Sequence, residues 1–165
     1  MTEAHDPLGP QGHFDGKTFV MFNRVYFHDT DAAGIVYHGN YLNFAERART
    51  EMLRHLKVDP DWLWQEYRLR FVIVEADINY RRPAFHDDVI EIRTDYRATT
   101  AARMVLDQSM LVKGKECTSL RITVSHKTRH LDRAVFVFVI FEVYGWFVTV
   151  VILIQDSHHS KLLVR

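Results

Sequence analysis

One stretch of helical spacing stands among stretches of period two, and that contrast limits the folds open to this chain more than any other feature. Tyr41, Phe44, Ala45, Ala48, Met52 and Leu56 recur three and four residues apart, which lines one face of a helix from about Asn40 to Leu56. Before it, Thr18 to Phe27 is rich in Phe, Val and Tyr and suits a strand. After it, Val72, Val74, Ala76, Ile78 and Tyr80 alternate with Glu75, Asp77 and Asn79 in a strand that starts at about Phe71. Asp88 to Arg97 repeats the alternation, with Ile90, Ile92, Thr94 and Tyr96 in phase. Arg103 to Val112 and Cys117 to Ser125 read as two further strands, joined by the hairpin loop Lys113-Gly114-Lys115-Glu116. Val58-Asp59-Pro60 stops the long helix, and Asp59 or Pro60 opens a short second helix through Trp62, Leu63 and Tyr67, expected over the sheet edge. A strand, one long helix and a run of antiparallel strands pack most economically as a single helix against one curled sheet, an α+β arrangement.

Composition removes several classes of function. A chain of 165 residues fits one domain and can bury a core without staples. With 21 basic against 21 acidic side chains and 47% hydrophobic residues, neither a general nucleic-acid surface nor disorder is indicated. Cys117 stands alone and cannot form an internal disulfide, and the N-terminus has no basic start followed by an apolar run, so a cytoplasmic protein is expected. Residues 1–17 hold two of the four prolines and three of the seven glycines and read as a disordered leader, followed by a domain over 18–141 and a divergent apolar tail over 142–165. Ala134 to Ile154 contains one ionised side chain, Glu142. Its length reaches that of a membrane span, but the dominance of Val, Ile and Phe and a turn at Glu142-Val143-Tyr144-Gly145 favour strands, with Ala134 to Phe141 as a buried one.

The chemistry gathers between the first strand and the helix. Asp31 lies in the polar turn Asp29-Thr30-Asp31, Gly34 permits positive φ, and His38-Gly39-Asn40 precedes the helix. Helix starts leave N–H groups unpaired and favour negative charge, so an acid, a histidine and oxyanion donors fall close together. In the blander alternative Asp31 caps a turn and His38 a helix. Glu46, two turns beyond His38, either lines a pocket or pairs in solvent with Arg49 or Thr50. Arg81 and Arg82 suit phosphate oxygens or are solvated loop residues. His126 with His130, and His158 with His159, have no cysteine or carboxylate at matching spacing, so no metal is expected.

The stretch RVYFHDTDAAGIVYHGNYLNFAERARTEMLR, Arg24 to Arg54, with its D-x-D-x-x-G-x-V-x-H-x-N-Y core, resembles the signature of the 4-hydroxybenzoyl-CoA thioesterase family of hotdog-fold proteins. It is most similar to the Tol-Pal-associated acyl-CoA thioesterases. The similarity continues less densely through FVIVEADINYRRPAFHDDVIEIRTD and the next two strands, to about Ser125. The resemblance implies a hotdog fold, in which a five-stranded antiparallel sheet wraps one long helix. It also implies a homodimer with a continuous sheet or a homotetramer, and an acyl-CoA bound at the subunit interface. The implied reaction is hydrolysis to a carboxylic acid and free coenzyme A, with no cofactor beyond the coenzyme A of the substrate. The resemblance places the reacting carboxylate on Asp31, as base or as nucleophile through a mixed anhydride, and a helping histidine on His38. Substrate contacts are carried to Gly34, Val36, Tyr37, Gly39, Asn40, Tyr41, Glu46, Arg81 and Arg82. The same likeness leaves association with a membrane or an envelope complex open. The rival functions are a hotdog hydratase or dehydratase acting on acyl thioesters, and a non-catalytic acyl-CoA-binding dimer. Past Ser125 the likeness ends: relatives close with a last strand and a glycine-arginine-proline type ending, whereas this chain has HKTRHLDR, the apolar run and no proline after Pro83.

Overall fold

The helix and the strands expected from the two periodicities are present in the computed structural model, which describes residues 9, 11–67, 69–99, 103–128, 134–141, 148–155 and 160–164. In chain order the elements are β1 (His13–Asp15), β2 (Thr18–Arg24), α1 (Asn40–His55), α2 (Pro60–Tyr67), β3 (Leu69–Tyr80), β4 (Val89–Thr99), β5 (Arg103–Val112), β6 (Lys115–Thr128), β7 (Ala134–Phe141), β8 (Val148–Gln155) and β9 (Ser160–Val164). The first six strands form one antiparallel sheet in the order β1-β2-β4-β5-β6-β3.

One core holds helix and sheet together. Tyr41, Phe44, Ala45, Ala48 and Met52 of α1 share it with Phe19 and Met21 of β2, Ile90 and Ile92 of β4, Leu106 and Met110 of β5, and Leu120, Ile122 and Val124 of β6. Burial of this apolar face is the main force that seats α1. Thr94 and Gln108, in phase with the apolar residues of β4 and β5, are also buried, and they satisfy each other. The Gln108 amide donates to Thr94 Oγ1 (2.9 Å) and to the Ala45 carbonyl (3.0 Å), while its oxygen accepts from Arg49 (2.6 Å). Burial pushes the Arg49 pKa down, and that hydrogen bond partners the guanidinium beneath the helix.

The short helix α2 forms as expected: Pro60 is its first residue, and Asp59 Oδ1 accepts the N–H groups of Asp61 (2.8 Å) and Trp62 (3.3 Å). It contacts β3, which is the edge strand, so it does lie at a sheet edge. The β5–β6 turn is tighter than the expected four-residue loop. Lys113 (φ 51°) and Gly114 (φ 74°) alone make it, both in the left-handed region that two-residue hairpins require.

Four expectations need adjustment. The first strand ends at Arg24, not Phe27; Phe27–Asp29 is a turn of 3-10 helix, and Val25 bonds instead to the loop after β3, donating to the Asp88 carbonyl (2.9 Å) and accepting from Asp87 N–H (3.0 Å). His13–Asp15, within the stretch expected as leader, is a strand, because the Gly16 turn folds it back on β2 and sets Phe14 edge-on to Phe19 at 5.2 Å. The period-two face of β3 packs inward only in part: Ile78 lies against the core, but Val72 and Val74 on that face, and Ile73 on the other, are 40%, 47% and 48% exposed, because β3 is an edge strand and its register shifts between Ile73 and Glu75. Finally, the five long strands, β2 to β6, are complete by Thr128, so the tail supplies none of them. Ala134–Phe141 is a strand, as expected, but it pairs with β8, and β8 with β9, in a separate three-stranded antiparallel sheet. The place a closing strand would take beside β6 is held by β3.

The burial of β7, the turn expected at Glu142 to Gly145, and residues 1–8 of the leader lie outside the described residues. Among the described residues, no helix is long and apolar enough to cross a membrane.

Candidate active site

Asp29, one of the three polar turn residues, organises the loop that carries Asp31. It is 3% exposed; its Oδ2 accepts the Tyr26 N–H (2.9 Å), and its backbone carbonyl accepts both the Tyr37 N–H (2.9 Å) and the Asn40 side-chain amide (3.0 Å). Thr30 and Val36 face each other across a β-bridge, and Asp31 N–H donates to the Ile35 carbonyl (2.9 Å). Residues 29–37 are thus a small closed ribbon with Asp31 at its tip and the start of α1 at its exit. The turn at the tip needs Gly34, which has φ 74° and donates its N–H to the Asp31 carbonyl (2.9 Å). Asp31 itself is exposed; Oδ1 accepts the Ala33 N–H (2.8 Å), and Oδ2 has no protein partner among the described residues.

The helix start has its own geometry. Gly39 is the N-cap of α1, no side chain caps it, and no acidic residue lies in the first turn. The Asn40 N–H is taken by the Tyr37 carbonyl (2.8 Å), which removes it from the expected set of free donors. The N–H groups of His38 and Gly39 have no acceptor among the described residues. His38 is exposed, with its ring 4.3 Å from that of Tyr37 and edge-on to Tyr80 at 6.4 Å.

The remaining expected substrate contacts divide into two groups. Gly34, Tyr37 and Gly39 sit on or beside the open ribbon. Val36 and Tyr41 are each 3% exposed and belong to the core, where the Val36 N–H donates to the Ala84 carbonyl (2.9 Å) and the Tyr41 hydroxyl accepts the Ala84 N–H (3.1 Å). Burial also raises the Tyr41 pKa. Asn40 uses its side chain inside the protein, on Asp29 and on Asn43 (2.9 Å). Glu46 is exposed and accepts from the Thr50 hydroxyl (2.8 Å), which is the solvated-carboxylate alternative. Arg81 pairs with Glu116 (2.6 Å), and Arg82 donates to the Glu116 carbonyl (3.2 Å), so both stand at the β6 end of the loop after β3. Neither Asp29 nor Tyr80 was singled out for this site from sequence; Asp29 is visible as the first acid of D-x-D, and Tyr80 only as the last residue of an alternating strand.

Cys117 is no rival nucleophile. Its thiol donates to the Met110 carbonyl (3.1 Å), and burial raises its pKa. Among the described residues there is no group of three or more His, Cys, Asp or Glu placed to hold a metal. His130, His158 and His159 lie outside those residues.

A helix seated on a curled antiparallel sheet, with an acid-bearing ribbon at the helix start, defines a hotdog-fold protein. The chain belongs to the thioesterase-like superfamily, whose sequence profile matches residues 25–138. It is 43% identical over 88 residues to the acyl-CoA thioester hydrolase YbgC of Escherichia coli, across 53% of this chain and 65% of that one. The match therefore spans just under two thirds of that relative. It is 30% identical over 107 residues to a 1,4-dihydroxy-2-naphthoyl-CoA hydrolase of Thermosynechococcus vestitus, across 65% of this chain and 70% of the other. Its fold matches the crystal structure of a probable thioesterase from Bartonella henselae with a TM-score of 0.65 at 30% identity, covering 68% of this chain and 93% of that one.

Proposed function

We propose that the protein hydrolyses acyl-CoA thioesters to a carboxylic acid and free coenzyme A. One observation carries this reading: a single hydrogen-bonded ribbon carries the Asp31 carboxylate, whose Oδ2 has no partner among the described residues, and leads directly into a helix start whose His38 and Gly39 N–H groups likewise have no acceptor among them. Such donors, fixed before reaction, stabilise the charge that builds on the thioester oxygen. As a base, Asp31 takes a proton from water while the water oxygen attacks the carbonyl carbon. The oxyanion collapses, the C–S bond breaks, and the thiolate leaves with the proton that Asp31 held. As a nucleophile, Asp31 displaces the thiolate to form a mixed anhydride, which water then cleaves. Single turnover in H2(18)O separates the routes, since only the anhydride route can label Asp31. His38, exposed beside this oxygen site, orients the thioester or assists the leaving thiolate.

The names of the relatives support acyl-CoA as the substrate class, and one of them acts on an aromatic acyl group. In this reading the substrate brings the coenzyme A and no other cofactor takes part. The exposed aliphatic edge of β3 supports a homodimer joined edge to edge, with a dimer of dimers as the larger form. A buried, reduced Cys117 and a coenzyme A substrate suit the cytoplasm.

The test is release of free thiol from short, long and aromatic acyl-CoAs, with crotonyl-CoA hydration followed in parallel. Thiol release supports the hydrolase. Hydration without thiol release selects a hydratase, and binding without turnover selects a non-catalytic acyl-CoA-binding protein.

A further inference from the structure

Tyr80 closes β3 and reaches across to the start of α1, where its hydroxyl donates to the carbonyl of His38 at 3.0 Å. That carbonyl shares a peptide plane with the Gly39 N–H. The described backbone contains no cis peptide bond, and in a trans peptide the C=O and the following N–H point to opposite sides. Anchoring the oxygen therefore sets the direction of the hydrogen. The anchor matters at this place because Gly39 has no side chain, α1 has no side-chain cap, and the Asn40 N–H to Tyr37 carbonyl bond (2.8 Å) closes the turn around this peptide without engaging its own oxygen or hydrogen. The tyrosine ring is itself held edge-on by Tyr41 (5.7 Å) and His38 (6.4 Å). Burial, with a smaller contribution from Tyr37, raises the Tyr80 pKa, so the hydroxyl keeps its proton and remains a donor through neutral pH.

We infer that Tyr80 is a positioning residue for thioester hydrolysis, its hydroxyl turning the His38–Gly39 peptide so that the Gly39 N–H faces the thioester oxygen. This rests on the oxyanion role proposed above for the helix start. The residue acts through the peptide and does not touch the reacting atoms.

Y80F keeps the ring and its edge contacts and removes only the donor. It is expected to lower kcat about tenfold, a fraction of the loss when an oxyanion donor is deleted outright, with KM and melting temperature nearly unchanged. In a D31N background that preserves bound thioester, carbonyl-13C benzoyl-CoA should show its C=O stretch shifted to lower frequency, and Y80F should return it towards the free value. A second variant avoids dependence on folding of the first: 3,5-difluorotyrosine at position 80 ionises within the accessible pH range. It should add a fall in kcat on the basic side that the natural protein lacks. An unchanged kcat in Y80F, a change in KM alone, an unmoved C=O stretch, or an unaltered pH profile with difluorotyrosine would each overturn the inference. If the natural protein releases no thiol from any acyl-CoA, the hydrolase reading fails first. An active natural protein with an indifferent Y80F sinks only the role of Tyr80.

Discussion

The two ends of α1 are built in opposite ways. At the C-terminus the chain satisfies the helix itself: Leu56 N–H donates to the Met52 carbonyl (3.0 Å), Lys57 to Arg54 (3.0 Å) and Val58 to Leu53 (2.9 Å), with Lys57 at φ 54°. Arg54 lies in the last turn, where positive charge suits the dipole, and Phe14 and Phe19 close over the neighbouring His55 ring. At the N-terminus there is no side-chain cap, no acid in the first turn, and two amides without acceptors among the described residues. A helix that needed only stability would be capped at both ends. Under the hydrolysis proposed above, the uncapped end is the one that would receive the thioester oxygen.

Four experiments sharpen or break this contrast. The largest effect is expected from D31N, which keeps the Ala33 N–H contact possible but removes both the base and the nucleophile; kcat for thiol release should fall roughly a hundred- to ten-thousand-fold with the melting temperature retained. Turnover like that of the natural protein would take Asp31 out of the chemistry.

Next comes G39S, which puts a side chain on the open N-cap position beside the proposed oxyanion donors. The new Cβ meets Tyr37 Cε1 at 2.9 Å, and the Tyr37 side chain, 47% exposed, can swing aside. Because Gly39 is helical (φ −67°, ψ −25°) and not extended as a capping serine is, the exchange should change stability by only a few tenths of a kcal/mol. Activity should nevertheless drop by about tenfold or more, because the added side chain crowds the Gly39 N–H where the thioester oxygen is proposed to sit. If kcat is unaffected, the open helix start has no part in the reaction.

The opposite end should behave in reverse. F14A removes the edge-on ring contacts with Phe19 (5.2 Å) and His55 (6.3 Å) and should destabilise by about 1–2 kcal/mol, read as a lower melting temperature. Its kcat at low temperature should equal that of the natural protein. A change in kcat with the fold intact would mean that the two ends are coupled.

The smallest effect is a pH dependence away from both ends. Asp107 accepts from Arg121 (2.8 and 3.0 Å) and Arg97 (2.8 Å), and those hydrogen bonds, Arg121 first, hold its carboxyl below the usual aspartate range. A depressed pKa stabilises the fold above the ordinary value near about 4 and loses that contribution as pH falls through the lower, native one. D107N should therefore be slightly less stable at neutral pH and should converge with the natural protein in strong acid. The effect is small because the partners are exposed. A constant difference in melting temperature at every pH would show that the ion pairs are not its source.

Much of this architecture was legible in order along the chain. Six apolar positions from Tyr41 to Leu56 foretold a helix that runs from Asn40 to His55, and Ile90, Ile92 and Thr94 foretold the inward face of β4. The ribbon was legible as D-x-D followed by glycine and histidine, since turn residues announce themselves by chemistry. The division of labour within it was not. Asp29 is buried and structural while Asp31 is exposed, and two aspartates two residues apart look alike until the backbone is closed around one of them.

What the sequence determined by itself were the two helices, the strands β2 to β7 and the acid-histidine-glycine stretch before the helix, because periodicity and turn chemistry act over a few residues. The tertiary structure alone decided who sits beside whom. β3 is followed in the chain by β4, yet it pairs with β6 at the far edge and leaves Val72, Ile73 and Val74 open. The apolar run at Ala134 pairs within its own small sheet, because β6 is already flanked by β5 and β3. Tyr80 meets the carbonyl of His38, 42 residues away in sequence, only because the end of β3 is brought to the start of α1. Strand pairing is set by backbone hydrogen bonds that any residue but proline can make, so a local pattern specifies a strand without naming its partner.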